Sequence, residues 1–288
     1  SNGLEGLEML RGDSMPKDLA KAAKLYEQAA KQNYAPAQYR LGALYEKGTG
    51  VAQSDRLSFD WYEKAASQGI VKAMHNLGII YAEGRGIPVD PAMAMLWYEV
   101  AANAGHAEAM NQLGRCHELG FGTACNEVLA ALWYRRAAEH GLDWGMYNLA
   151  HLYGSGRGVA QDHAQALALY RTAAERGHAK SMNFVARYLD QGLACAADPV
   201  AARHWYRRSA EAGDFRGQAG YATLLADAGD IDQAERWMRR AIAGGHAGFL
   251  QQLTPLLAGA TQPRLRALLS EVAARQSHLQ PSLAVDVA

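Results

Sequence analysis

A glycine-rich turn ahead of a helix can hold phosphate, because unpaired backbone N–H groups and the helix dipole both point at the anion. Gly84-Arg85-Gly86, within YAEGRGIPVD (81–90), has the composition for such a site. Ten histidines offer metal ligands or general bases, and Cys116, Cys125 and Cys195 offer thiols. Arg11-Gly12-Asp13 has the form of an adhesion tripeptide. These candidates do not converge on one chemistry. The histidines lack close metal-ligand spacing. The chain contains no Gly-x-Ser-x-Gly, His-Glu-x-x-His or Walker sequence. The expected set of catalytic residues is therefore empty, as are the cofactor and metal sets, and the chain is read as no enzyme.

Composition narrows the classes further. Of 288 residues, 49% are hydrophobic and 20% charged, enough to bury a substantial core. Lys plus Arg is 29 and Asp plus Glu is 29. That balance argues against a nucleic-acid binder, which carries a basic excess. No apolar stretch approaches a bilayer-spanning length, so membrane insertion is not expected. An odd cysteine count does not suggest a disulfide scaffold. No signal peptide is expected in the chain as given, and the opening Ser-Asn-Gly reads as an expression scar, which leaves a trimmed targeting segment open.

The elements that would position any site come from a repeat. Tyrosines stand at 26, 62, 98, 134, 170 and 206, each 36 residues after the last. Their flanks recur as WYEKAASQG (61–69), WYEVAANAG (97–105), WYRRAAEHG (133–141), LYRTAAERG (169–177) and WYRRSAEAG (205–213). The Gly-Arg-Gly segment recurs too, as EKGTG, EGRG, ELGFG and GSGRG, with its second glycine replaced by Ala194 in the fifth copy. A turn copied along the chain is structural, so the phosphate reading falls. Its first glycine is expected to end a helix in the left-handed conformation. Asp18, Asp90, Asn126, Asp162 and Asp198 are expected to cap the following helices. Apolar spacing places a first helix at about 35–47 and a second at about 55–68, with each pair needing its neighbours to bury its face.

The set Ala73, Leu77-Gly78, Tyr81, Gly84-Arg85-Gly86, Asp90, Ala94, Trp97-Tyr98 and Ala101-Ala102, matched in neighbouring repeats, resembles the Sel-one-like repeat family, a branch of the tetratricopeptide repeats. The resemblance covers roughly 6–253. It implies an all-α fold, a right-handed α-solenoid of stacked antiparallel helix pairs, and a role as scaffold or adaptor for a protein or peptide. Bacterial cytoplasm or periplasm would be its compartment. Alternatives are an immunity or inhibitor protein neutralising one enzyme or toxin, and a hydrolytic enzyme. The cross-linked secreted relatives carry paired cysteines where this chain has Ala66 with Ala73 and Ala102 with Ala109, so that subfamily is not expected. Cys116 reads as a buried small hydrophobe, and Cys125 stays open as a reactive thiol.

Solenoid repeats are expected over 1–261, about six of 36 residues plus a shorter unit in which Ala222 and Ala234 lie only twelve apart. A capping helix is expected over 262–276 and a flexible tail over 277–288. Within the family, the first helix of each pair lines a concave groove. The resemblance thus puts Tyr39, His75, Asn111, Tyr147 and Asn183 in that groove, with Arg115, His151 and Arg187 one turn on. Trp144, which replaces Pro36, Lys72, Glu108, Lys180 and Arg216 at its repeat position, is an expected anchor. His106, His178 and His246 read as packed junction residues.

Overall fold

The computed structural model describes residues 18–279. Among them there is no strand. The helices are α1 (Leu19–Lys31), α2 (Ala35–Lys47), α3 (Asp55–Ser67), α4 (Val71–Glu83), α5 (Pro91–Asn103), α6 (Ala107–Leu119), α7 (Glu127–Glu139), α8 (Asp143–Ser155), α9 (His163–Glu175), α10 (Ala179–Gln191), α11 (Pro199–Glu211), α12 (Phe215–Asp227), α13 (Ile231–Gly244), α14 (Ala247–Ala258), α15 (Pro263–Ala267) and α16 (Leu269–His278). The architecture is an all-α solenoid of helix pairs. The chain divides into two compact units, one running to Gly145 with Arg157–Val159, the other comprising Met146–Gly156 and the residues from Ala160. The boundary falls inside α8.

In the first unit each helix from α1 to α6 packs on its successor. Small residues make this possible. Ala22, Ala94 and Ala130 are fully buried on the second helices, and so are Tyr62 and Tyr134. Gly78 and Gly114 lie face-on to Tyr98 and Tyr134, where an added Cβ would sit 2.5 Å from the ring. In the second unit Ala150 and Ala186 take that position, packed in the same clusters as Tyr170 and Tyr206. There α9 to α13 again pack in sequence, and α13 and α14 close against α15 and α16.

The turns explain themselves at Gly84 and Gly86, both at φ +70°. Gly84 ends α4 by donating its N–H to Ile80. Gly86 lies against the first residues of α3, one repeat back, where a Cβ would come 2.6 Å from the Arg56 nitrogen. The second glycine is thus a contact between repeats. Where Ala194 replaces it the left-handed backbone is gone: among the described residues only Asn33 carries a positive φ without being glycine.

The five expected caps all accept a hydrogen bond from the backbone N–H three residues on, each worth about 1 kcal/mol. Ser54, Asp214 and Asp230 do the same. So do His106 and His246 through Nδ1, a role beyond the packing expected of them. The shortened linker is the three-residue span 228–230 between α12 and α13. In place of one helix over 262–276 there are two, divided at Leu268, and the second continues to His278. The Arg-Gly-Asp tripeptide and the tail from 280 on lie outside the described residues.

Candidate functional site

In the first unit, Tyr39 is half-buried on α2 with its ring 5.7 Å from that of Tyr62. His75, on α4, stacks on His106 with centroids 4.6 Å apart and planes 25° apart. Its Nε2 is buried without a hydrogen-bond partner among the described residues. Burial, and then the neighbouring His106, push the His75 pKa down to about 4. Burial lowers His106 as well, opposed by Glu108, whose carboxylate is 3.3 Å from Nδ1. Both rings are therefore neutral near pH 7. Asn111 and Arg115 follow on α6, with Arg115 Nη1 3.5 Å from Gln112 Oε1. Trp144 is half-buried at the start of α8.

The second unit presents a denser arrangement. Phe184, on α10, stacks on the buried Tyr170 ring at 4.8 Å and 14°. Tyr147 meets Phe184 edge-on at 5.7 Å, and His151 does so at 4.6 Å. Tyr147 Oη and His151 Nε2 are hydrogen-bonded at 3.2 Å. His178 lies 5.3 Å from Tyr147 and bonds Ser181 Oγ through Nδ1 at 2.8 Å. The exposed Arg187 holds its guanidinium 5.2 Å over the Phe184 ring. Edge-to-face and stacked contacts of this kind fix each ring in place.

One expected groove residue is misplaced. Asn183 is 3% exposed and belongs to the interior, while Phe184, the next residue, faces outward. The helix presents its sixth residue here because the larger ring finds its platform on Tyr170. The spacing rule used for Tyr147 therefore fails one repeat later, and no single-repeat comparison signals it.

Away from this face, two three-residue clasps tie successive repeats. Tyr62 Oη donates to Glu46 Oε2 at 2.7 Å, and Arg85 Nη1 to Glu46 Oε1 at 2.7 Å. Two repeats on, Tyr134 Oη donates to Glu118 Oε2 at 2.6 Å, and Arg157 Nη2 to Glu118 Oε1 at 2.5 Å. Burial alone would raise Glu46, but the bonds from Arg85 and Tyr62 hold it below its ordinary value. Asp190 has the third place in this series, with Gly229 where an arginine would stand.

Strongly shifted groups can mark chemistry. Besides His75 they are Tyr62, Tyr98, Tyr134, Tyr170 and Tyr206, all raised first by burial. They are the packing tyrosines of the repeat. Cys116 is likewise buried and its thiol is pushed up to about 11, whereas Cys125 and Cys195 are exposed. Among the described residues no group of three or more His, Cys, Asp or Glu is placed to hold a metal ion. No described helix is long and apolar enough to cross a membrane.

The Sel1 repeat family profile matches seven segments, 6–34, 35–70, 71–106, 107–142, 145–178, 179–214 and 224–246. Among solved structures the chain is similar to c5321, a protective antigen of uropathogenic Escherichia coli strains with an SLR fold. Identity is 32% and the TM-score 0.76, over 96% of this chain and 60% of that one. The chain thus spans less than two thirds of that relative. A Sel1 repeat protein from Oxalobacter formigenes is 31% identical with a TM-score of 0.75, over 83% of this chain and 96% of that one. No curated protein matches the chain.

Proposed function

Since the chain belongs to the Sel1 repeat family, we propose that it is a non-catalytic scaffold that holds a protein or peptide partner against the first-helix faces of its repeats. The observation that carries this reading is the Tyr147–His151–Phe184 group with Arg187 above it. These are half-buried or exposed side chains, rigidly placed, of the types that dominate binding energy at interfaces. The repeat does not require them: Asn76, Gln112 and Gly220 stand at the Phe184 position of other repeats. Packing explains the recurring tyrosines, and it leaves this non-recurring cluster for recognition.

Capture from a native lysate with the wild-type chain and with Tyr147→Ala plus Arg187→Ala tests the proposal. A partner recovered by the wild type and lost by the double variant is expected. Equal recovery of every protein by both forms would remove the face from consideration.

A further inference from the structure

Building on that reading, we propose that the second unit's first-helix face selects an extended peptide segment carrying carboxylates beside an aromatic side chain. The selection rests on charge and on a preformed ring platform.

Lys180, Phe184 and Arg187 are four and three residues apart on α10 and so share one stripe of that helix. Arg216, Gly220 and Thr223 form the matching stripe of α12. Every charged residue through these levels is a cation. The acids of the two helices that are exposed, Asp190 and Asp227, stand in the last turns. Asp214, between the helices, is 6% exposed and already holds the Gly217 N–H at 2.8 Å and the Ser209 hydroxyl. Its carboxylate is not presented to a ligand.

Arg187 is the best placed of the cations. It is exposed and enters no ion pair among the described residues. Its position over Phe184 restricts the guanidinium, which cuts the entropy lost when a carboxylate docks in its fork. Beside it, Tyr147 and Phe184 offer ring surface at fixed angles to a partner's aromatic group. The first unit lacks this sign: the matching stripe positions there hold Lys72 and Arg115 together with Glu108. A peptide of mixed or basic charge has no comparable seat in the second unit.

The test uses the full chain and three fluorescein-labelled peptides, GGEFEGG, GGKFKGG and GGEAEGG, followed by polarisation. The acidic aromatic probe is expected to bind, with the other two weaker by about tenfold or more. Arg187→Glu and Phe184→Ala should each weaken the first probe by about tenfold, and Lys64→Glu, exposed on the second helix α3, should leave it unchanged. Circular dichroism of each variant checks its fold. Equal binding of the basic and acidic probes, an unaffected Arg187→Glu variant, or no binding of any probe overturns the inference. A lysate partner lost on Tyr147→Ala but kept on Arg187→Glu would sink the charge selection while leaving the scaffold reading intact.

Discussion

Two rings meet at the same pair of repeat positions in each unit, and they differ. In the first unit His75 stacks on His106. Two repeats later, in the second, Tyr147 meets His178 edge-on. The backbone solution is shared, but the chemistry is not. The first pair stacks two imidazoles that both stay neutral near pH 7. The second joins a network with His151 and Phe184 and becomes a surface. The repeat framework holds its shape through alanine, glycine and tyrosine, so the positions between them are free to diverge.

The comparison breaks first under acid. The His75 pKa is lowered in the folded state, so the unfolded chain binds more protons between 6.5 and about 4. Its contribution is complete above the ordinary value and is lost as pH falls through that window, up to about 3 kcal/mol. His75→Tyr, which copies Tyr39 and Tyr147 at that position, should flatten this part of the stability–pH profile in urea melts. An unchanged slope would show that the stacked pair is not the acid-sensitive element.

The next largest effect concerns the tyrosine seats. Gly→Ala inside a helix ordinarily stabilises by about 1 kcal/mol. At Gly114 the new methyl would press on Tyr134, whose hydroxyl is already bound to Glu118. Gly114→Ala should destabilise by about 2 kcal/mol, and a neutral result would mean the ring can yield. Glu118→Gln should cost about 1.5 kcal/mol by weakening the bonds from Tyr134 and Arg157. Thermal melts of that variant, with Arg157→Gln and the double variant, give the coupling between them; strict additivity would count against a clasp. The smallest change is in the second unit. Ala150→Gly should lose about 1 kcal/mol, from helix propensity and a little packing. A loss as large as that of Gly114→Ala would erase the distinction between the two seats.

Much of this was legible because the repeat oversamples itself. Six tyrosines at one interval locate the helices, and glycine with Asp or Asn in register marks their ends. Cys116, in the place of Leu44 and Ile80, had to be buried, and it is. What escaped was either non-recurring or recurring at twice the period. Repeat spacing puts Asn183 outward with Tyr147, but the stacking of Phe184 on Tyr170 turns the next position to the surface. The capping by His106 and His246 depends on a ring nitrogen reaching a backbone N–H, which composition does not encode. The clasps join residues 39 apart that match only between alternate repeats. Their signal in the sequence is a glutamate and an arginine that each recur at twice the repeat interval.

That doubled spacing limits how such an array can grow. Ala82 stands in the repeat between the clasp carboxylates, Gly154 in the repeat after them, and Phe121 between the two arginines. A module inserted between Glu46 and Arg85, or between Glu118 and Arg157, would part a clasp and strand its carboxylate under a tyrosine. At every other junction the array can change length with both clasps intact.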